Sequence, residues 1–379
     1  MSNLGYYFHV PWCRRRCPYC DFYLVVNKTP DSSYAQCIIK EYQSRIVTKK
    51  SATTMYFGGG TPSLLPSSQL DLIINFFKEN NLLTLNPEIT LELNPEDVNL
   101  AYVKDLTTTL VNRISLGIQS FDDAILKFLG RAHTKKQALT SIELLLAKDF
   151  NNISIDLIIG VDGENLTETL NMLDLLGNLG VKHFSTYLLT IESSTNFHKR
   201  IINKQLKAPS DDYQAYAYET IQQKLLSLGF IQYEISSFAK DNFFSKHNQL
   251  YWSSSDYLGF GPSSHSMTRL SNGGILRTHN KALLADWLVD PTKKDYFVTE
   301  FLDPKEALKE ALAFGLRNMH TGMNPLYLSN LCQSSLPANF YEIMLKFIKN
   351  GMLQEKNGIF FITHKGALFA DLIIREALC

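Results

Sequence analysis

The sequence has no excess of charge of either sign and no long hydrophobic run. Its 379 residues include 37 Lys and Arg and 37 Asp and Glu, so the formal net charge is zero. Neutrality argues against bulk electrostatic attraction to nucleic acid or to an anionic membrane surface, so we expect no nucleic-acid partner. No stretch approaches the roughly 18 uninterrupted apolar residues of a membrane-spanning helix, and we expect no transmembrane segment.

A secretory signal, an internal repeat and a low-complexity linker are also missing. The N-terminus reads MSNLGYYFHVPWC, without a basic segment followed by a long apolar one. A cytoplasmic location is therefore the default expectation. The length suffices for one large domain and a second, smaller one.

Cysteine is scarce, and half of it is clustered. The chain has six cysteines, of which Cys13, Cys17 and Cys20 stand close together. The remaining three are scattered along the chain: Cys37, Cys332 and Cys379. In a chain without a secretory signal, a clustered triplet indicates metal binding more than disulfide formation.

The triplet has the spacing C-x3-C-x2-C and directly follows the first predicted strand. A loop of this kind can place three thiolates on a [4Fe–4S] cluster and leave the fourth iron open to a chelating small molecule. The alternatives are a disulfide or a zinc site, which needs a fourth Cys or His; His9 is near but lies on the strand. The basic residues Arg14–Arg16 either lower the pKa of the thiols or simply form a solvated loop.

The first half of the chain alternates short β-rich runs with longer helical patterns, which predicts an α/β fold with parallel strands. About six such units fall short of the eight in a closed barrel, so we expect a partial (β/α)6, TIM-like half-barrel; a flat, doubly wound sheet remains an alternative. The predicted strands are Tyr6–Val10, Thr54–Phe57, Ile89–Leu93, Arg113–Ile118, Ile153–Ile158 and His183–Leu188. The predicted helices are Ser33–Thr48, Ser67–Asn80, Ala101–Leu110, Lys135–Lys148, Leu166–Leu176 and Asp211–Leu228.

The second half changes character. We predict a core over residues 1–230, covering loops and short strands over 231–300, and a C-terminal α+β domain over 301–379. In the last segment, helices at Pro304–Met319, Leu326–Leu331 and Ala338–Asn350 precede two apolar runs joined by Asn357-Gly358, which is a strong hairpin signal. Helices followed by a hairpin suggest a winged-helix-like module. Such modules can bind DNA, and a DNA-binding regulator is a distant alternative for this chain.

Several residues at strand ends are candidates for ligand binding, because ligands collect at the carboxyl ends of parallel strands. The glycine triplet Gly58–Gly60, followed by Thr61, lets backbone approach a ligand closely, although a tight turn explains it equally well. The polar candidates are Glu92, Gln119, Arg131 and Asp156. Asp156 interrupts an apolar strand, where an unpaired charge is costly, although any one of the four could serve a structural role.

The segment from Tyr7 through Cys20 resembles the radical SAM superfamily. Within it, the similarity is to the group of oxygen-independent coproporphyrinogen III oxidases and the HemW heme chaperones, and it runs over nearly the whole chain. The resemblance implies that Cys13, Cys17 and Cys20 hold a [4Fe–4S] cluster and that S-adenosylmethionine (SAM) binds its fourth iron.

The same resemblance assigns the SAM contacts. It places Gly59, Gly60 and Thr61 at the amino group and Arg131 at the methionyl carboxylate. It further implies Gln119 and Asp156 near the ribose hydroxyls, Glu92 near the methionyl end, and Tyr7, Tyr19 and Leu188 along the pocket.

Some loops depart from the family pattern. Val161-Asp162 stand where a Leu-Pro-Gly turn is usual, and Ser193-Ser194 replace a common Pro-Gly. Ser263-Ser264 stand where Gly-Ala is usual. These departures put the shape of the pocket in question but leave the named ligands in place.

Three observations favour the chaperones over the oxidases. The oxidases have a fourth cysteine two residues after the third, where this chain has Phe22. They also have a long N-terminal extension, for which this sequence leaves no room because its first cysteine is residue 13. The segment His247-Asn248-Gln249-Leu250-Tyr251-Trp252 matches the H-N-x-x-Y-W motif associated with heme binding in the group. A neutral imidazole is a good axial ligand of heme iron, and aromatic rings suit a macrocycle.

We therefore predict that His247 binds heme, with His265 as a weaker second candidate and His9 as a support of the cluster pocket. A purely structural His247 remains the alternative. The predicted function is a heme chaperone that passes heme to an acceptor protein whose identity the sequence does not give, with a homodimer considered. Turnover of a substrate is not required. The runner-up is a radical SAM oxidoreductase acting on a porphyrinogen.

Overall fold

The computed structural model describes residues 4–45 and 50–378, and strands from this part of the chain form one large open sheet and two small ones. In chain order the strands are β1 (Leu4–Val10), β2 (Trp12–Cys13), β3 (Val25–Val26), β4 (Ala52–Gly59), β5 (Leu83–Leu93), β6 (Arg113–Gln119), β7 (Ile153–Ile159), β8 (His183–Leu188), β9 (Ile231–Glu234), β10 (Ser237–Ala239), β11 (Asp256–Phe260), β12 (His265–Arg269), β13 (Ile275–Asn280), β14 (Phe297–Leu302), β15 (Leu353–Lys356) and β16 (Ile359–Ile362).

Most helices of the first half lie between successive parallel strands, as crossover connections require. The helices are α1 (Tyr34–Arg45), α2 (Ser67–Glu79), α3 (Leu100–Leu106), α4 (Asp123–Phe128), α5 (Lys135–Leu146), α6 (Leu166–Leu179), α7 (Asn196–Ile202), α8 (Asp211–Ser227), α9 (Lys246–Trp252), α10 (Leu284–Val289), α11 (Pro304–Arg317), α12 (Pro325–Cys332), α13 (Phe340–Lys349) and α14 (Ala370–Leu378). None of the helices in residues 4–45 and 50–378 is long and apolar enough to cross a bilayer.

Six adjacent parallel strands form the centre of the sheet, in the order β1-β4-β5-β6-β7-β8. These are the six strands that the alternating pattern predicts, and the parallel arrangement is confirmed. The predicted helices are present as well, with ends shifted by a few residues; the end of the first, residues 46–48, lies outside the described residues, as does Cys379. The core is therefore a partial (β/α)6 barrel.

The sheet continues beyond the six-stranded centre on both sides. β11 pairs in parallel with the outer edge of β1, and β12, β13 and β14 follow in antiparallel order. At the other edge, β10 and β9 add antiparallel to β8. Within the described residues, the end strands β14 and β9 do not pair with each other, so the barrel stays open. Residues 231–300 thus extend the sheet, and a boundary at residue 300 would fall inside β14.

Alternation along the central strands separates an apolar face from a polar one. The apolar side chains of β1 and β4, such as Tyr6, Phe8 and Phe57, are buried in the main core beneath the helices. The opposite face of the sheet carries polar side chains, which line the interior of the half-barrel. A closed barrel fills this space with branched apolar residues, whereas a polar lining indicates that the interior holds a ligand.

The C-terminal segment contains the helices and the hairpin that the sequence predicts. β15 and β16 pair antiparallel around Asn357-Gly358, and both turn residues have positive φ, which suits a short hairpin turn. This segment packs on the barrel: the Phe314 ring lies 6.1 Å from the Trp252 ring, measured between centroids. The barrel and the C-terminal segment therefore share an interface that includes the predicted heme motif.

Candidate functional site

The cysteine loop lies at the mouth of a cavity of about 820 Å³ in the interior of the half-barrel. Cys13, Cys17 and Cys20 all border this cavity. Within the described residues all of the cysteines are free thiols. The disulfide alternative is therefore not realised in residues 4–45 and 50–378.

An ion pair fastens the cysteine loop to the segment that follows β5. The Arg14 guanidinium donates to the buried carboxylate of Asp97, with Nη2–Oδ1 at 2.5 Å, and Ser63 Oγ donates to the other oxygen of Asp97 at 2.7 Å. Arg16 donates to the backbone carbonyls of Phe22 and Leu24. Two of the three arginines thus hold the loop in shape.

The thiols themselves are partly enclosed. Burial raises the pKa of the Cys20 thiol; the neighbouring Cys17 and Cys13 act in the same direction, whereas Arg16 lowers it. For Cys20 the expected lowering of the pKa by the basic run is therefore outweighed by burial. Thiolates with raised pKa values gain most from a bound cation, because the metal removes the cost of their charge.

The three thiols are donors of the kind that an iron–sulfur cluster takes. Among residues 4–45 and 50–378, no three side chains of His, Cys, Asp or Glu converge as ligands of one metal ion. In a cubane each thiolate binds a different iron, so the sulfurs need not converge on one point. The donor set, three thiols of one loop on a shared cavity, matches the requirement of a [4Fe–4S] cluster with one open iron.

The glycine segment lies directly against the start of the cysteine loop. The backbone N–H groups of Gly60 and Thr61 donate to the carbonyls of Val10 and Trp12. A Cβ atom on Gly60 would lie 2.6 Å from the Trp12 carbonyl oxygen, which no side chain tolerates. Cys13 Sγ lies 3.1 Å from Thr61 Oγ1, at hydrogen-bond distance. The glycines therefore let the end of β4 approach the cysteine loop closely.

Arg131 connects the loop with the neighbouring strand ends. Its Nη2 donates to Asn94 Oδ1 at 2.6 Å and to the Gly117 carbonyl at 2.9 Å, and its Nη1 lies 3.8 Å from Cys17 Sγ. Its Nε is buried without a hydrogen-bond partner. A buried, unsatisfied donor of a cationic side chain beside the cavity favours an anionic ligand.

Two of the acidic residues that border the cavity, Glu92 and Asp156, accept hydrogen bonds from neutral donors. Glu92 accepts from Tyr56 Oη at 2.9 Å and from the Gly59 N–H at 3.2 Å, and burial raises the pKa of Glu92 to about 7. Asp156 accepts from Ser115 Oγ at 2.6 Å and from Ser154 Oγ at 3.0 Å, and burial raises its pKa as well. Both carboxyls thus border the cavity as positioned acceptors with weakened acidity.

Gln119 adopts a strained backbone conformation at the end of β6. Its φ is +71°, a left-handed value that is unfavourable for a residue with a side chain, and the register between β6 and β7 shifts at this point. Strain of this kind persists where the surrounding structure enforces it, often at binding sites. Gln119 borders the main cavity.

The structure brings most of the predicted site residues together. All of them border the main cavity except Tyr7 and His247; those that border it are Cys13, Cys17, Tyr19, Cys20, Gly59, Gly60, Thr61, Glu92, Gln119, Arg131, Asp156 and Leu188. The sequence did not single out Asn94, Tyr56 or Ser115, which hold Arg131, Glu92 and Asp156. Tyr56 and Ser115 are two residues from Gly58 and Gly117 on their strands, and this alternation could have identified them. Asn94 directly follows β5, two residues after Glu92.

Tyr7 borders a second opening on the other side of the cysteine loop. This aromatic cleft, of about 390 Å³, is lined mainly by Tyr7, Phe22, Tyr23, Tyr251, Tyr257 and His265. Phe22 borders the main cavity as well, so its side chain lies between the two spaces.

His247 is buried behind both spaces, with 1% of its surface exposed. Its Nδ1 is 2.7 Å from Thr54 Oγ1 and its Nε2 is 3.0 Å from Tyr251 Oη, both hydrogen bonds. Burial lowers the pKa of His247 to about 3, so the ring is neutral. His9 is similarly buried, with ring nitrogens at hydrogen-bond distance from Tyr7 Oη and the Tyr23 carbonyl.

Comparison with known proteins gives a consistent family. The model of the radical SAM superfamily matches residues 7–176. The heme chaperone HemW of Lactococcus lactis is 34% identical over 376 residues, which cover 98% of this chain and 96% of that protein. The heme chaperone HemW of Bacillus subtilis is 31% identical over 375 residues, which cover 96% of each chain.

A solved structure supports the fold. Coproporphyrinogen III oxidase (HemN) from Escherichia coli, a radical SAM enzyme, superimposes with a TM-score of 0.79 at 18% identity; the match covers 99% of this chain and 89% of that one. At this identity the likeness concerns the fold alone.

Proposed function

Because this chain belongs to the HemW family of the radical SAM superfamily, we propose that it is a heme chaperone, which binds heme and transfers it to an acceptor protein. The observation that carries the proposal is the match, over nearly the full length, to proteins named heme chaperone HemW at 34% and 31% identity. The acceptor is a protein partner that the chain must recognise while heme is bound, and a homodimer is the assembly we propose for testing.

Membership in the superfamily implies a [4Fe–4S] cluster and SAM. We propose Cys13, Cys17 and Cys20 as the cluster ligands, because the three thiols belong to one loop and border one cavity. A cluster of this type, when bound and reduced, supplies the electron for cleavage of SAM. The loop contributes shape: Arg14 and Asp97 fix its position, and the thiols are partly enclosed, with Cys17 buried and Cys13 and Cys20 half-buried.

We propose the SAM contacts from the charges that face the cavity. Arg131 has a buried Nε without a partner and is suited to the methionyl carboxylate. Gly59, Gly60 and Thr61 are proposed for the amino group, with Glu92 nearby as an acceptor. Gln119 and Asp156 are proposed for the ribose hydroxyls, since both present hydrogen-bonding groups to the cavity from the neighbouring strands β6 and β7.

The remaining pocket residues are proposed to support these contacts. Tyr19 and Leu188 border the cavity beside the ligands. Tyr7 stacks on Tyr56, with ring centroids 6.1 Å apart. Because Tyr56 donates to Glu92, we propose that Tyr7 supports the pocket by positioning Tyr56.

The assignment of His247 to heme stays a prediction. For His247 to coordinate iron, a hydrogen bond to Thr54 or to Tyr251 must break, because both ring nitrogens are engaged. We propose that Tyr251 must move first, since its hydroxyl covers the Nε2 atom.

The domain boundaries also stay proposals. We propose residues 1–230 as the core and 301–379 as the C-terminal domain. The segment 231–300 would then connect the core with the C-terminal domain, since its strands extend the sheet of the core.

A comparison of heme binding with porphyrinogen oxidation tests the proposed function. The chain is reconstituted anaerobically with iron and sulfide, and heme is titrated while the Soret band is followed. In parallel, SAM, dithionite and coproporphyrinogen are added, and 5′-deoxyadenosine and oxidised porphyrin are measured. We expect stoichiometric heme binding and no substrate-dependent oxidation.

The matched control replaces all three cysteines of the loop by alanine. We expect this variant to lose iron and labile sulfide and to keep its heme binding. If coproporphyrinogen is oxidised and this oxidation needs the three cysteines, the chain is an oxidoreductase instead. If the triple variant retains iron and sulfide, the three cysteines are not the cluster ligands.

A further inference from the structure

The aromatic cleft has the chemistry of a site for a flat, apolar ring. Tyr251 and Tyr257 meet edge to face, with ring centroids 4.8 Å apart. Phe22 is 65% exposed, so its ring is accessible at the edge of the cleft. Aromatic faces and edges of this kind pack well against a macrocycle.

One histidine on the wall of this cleft is accessible. His265, the first residue of β12, is exposed, and its ring stacks on that of His279, with centroids 5.2 Å and planes 23° apart. By contrast, His9 and His247 are buried, at 4% and 1% exposure, and both of their ring nitrogens are engaged. His265 can therefore meet an incoming metal ion without breaking a buried hydrogen bond.

The family motif contributes to the same cleft through its tyrosine. Tyr251 lines the cleft and its hydroxyl is 3.0 Å from Nε2 of His247. His247 thus positions a ring of the cleft from behind, which gives the motif a part in heme binding without direct coordination by its histidine.

We propose that heme docks in the aromatic cleft and that His265 supplies the axial imidazole to its iron. The inference rests on the proposed heme-chaperone function and adds the location and the ligand. At about 390 Å³ the cleft has less than half the volume of the main cavity, so heme stays partly exposed. An open site of this kind suits a protein that must release its cargo to an acceptor.

The location also explains how the two cofactor regions can communicate. Asp21 and Phe22 border the cleft and the main cavity alike, and they directly follow Cys20. Through these two residues the cluster loop and the cleft share one wall.

Heme titration of three variants tests the inference: His265→Ala, His247→Ala and, as matched control, His279→Ala, which removes the stacking partner but not the proposed ligand. In the anaerobically reconstituted chain we expect His265→Ala to weaken heme binding by about tenfold or more and to shift the Soret band. Added imidazole should restore the spectrum of this variant. We expect His279→Ala to bind heme as the unchanged chain does and His247→Ala to show a smaller loss than His265→Ala.

The outcomes separate the inference from the function on which it rests. If the unchanged chain binds no heme, the chaperone proposal fails. If it binds heme and His265→Ala keeps the same affinity and spectrum, or if His247→Ala alone loses the spectrum, the cleft assignment is overturned while the chaperone proposal stands. Unchanged iron, sulfide and SAM binding in His265→Ala shows that the variant is folded.

Discussion

Single buried carboxyls decide much of the chemistry at the residue scale. Glu92 and Asp156 lie in the interior of the half-barrel with neutral donors around them, and burial raises the pKa of both. A carboxyl in such a place is costly when charged and becomes useful when a cationic or hydrogen-bonding ligand arrives. The cavity is thus prepared for a ligand at some expense of stability.

The raised pKa of Glu92 predicts a specific pH dependence of stability. The native chain keeps this proton up to about pH 7, whereas the unfolded chain loses it near the ordinary value of 4.5. Because the native state binds more protons in this window, the free energy of unfolding falls as pH rises through it and levels off above. Glu92→Gln removes this loss, so we expect the variant to gain on the order of 1–3 kcal/mol over the unchanged chain between pH 4.5 and 8.

Urea denaturation without SAM, at both pH values, measures this difference. Glu164, whose pKa burial also raises to about 7, remains in both proteins and contributes equally to each. A stability difference between the two proteins that does not change with pH would contradict the role assigned to Glu92.

A buried glutamate organises contacts between elements. Glu41 of α1 is fully buried. It accepts from Gly261 N and Trp287 Nε1 through one oxygen, at 2.9 and 2.8 Å. Arg45 Nη1 and Asn280 Nδ2 donate to the other, both at 2.7 Å. One side chain therefore joins α1, α10, β13 and the loop that leads to His265.

Replacement of Glu41 should destabilise the chain strongly. Glu41→Ala leaves the buried Arg45 and Trp287 donors without this acceptor, so we expect a loss of about 3–5 kcal/mol in the free energy of unfolding. Chemical denaturation measures it, with Glu79→Ala, at the exposed end of α2, as control. A loss below about 1 kcal/mol, as for a surface ion pair, would show that the network carries little stability.

At the scale of the whole molecule, the barrel and the C-terminal segment are connected by a polar network. Gln232 of β9 is buried and accepts from Gln222 Nε2 and from the His364 ring, both at 2.9 Å. Its amide donates to Tyr218 Oη at 2.8 Å. In addition, Arg317 of α11 borders the main cavity and lies 4.7 Å from the Trp252 ring centroid. The C-terminal segment thus completes the site as well as the fold.

The network predicts that the two parts unfold together. Gln232→Ala removes the shared partner of Gln222 and His364, and we expect a loss of about 1–3 kcal/mol with earlier proteolysis within residues 303–378. Thermal unfolding and limited proteolysis test this. Two separate unfolding transitions in the unchanged chain would show that the interface does not couple the parts. Gln354→Ala, on the exposed side of the hairpin, is the control.

The sequence by itself determined the local elements and most of the main cavity. Strand–helix alternation predicts the six parallel strands, because each strand is buried and each crossover helix is amphipathic. The spacing of the cysteines places three thiols on one loop, and the period of two along strands places Glu92, Gln119 and Asp156 toward the same interior.

Only the tertiary structure decided which distant segments meet. It paired β11 with β1, which no local pattern encodes, and thereby brought Tyr7, Phe22, Tyr251 and His265 to one cleft. It also buried His247 behind Tyr251, although the motif alone suggests an accessible ligand. The physical reason is that periodicity fixes which face a side chain occupies, whereas strand pairing and burial depend on the packing of segments far apart in the chain.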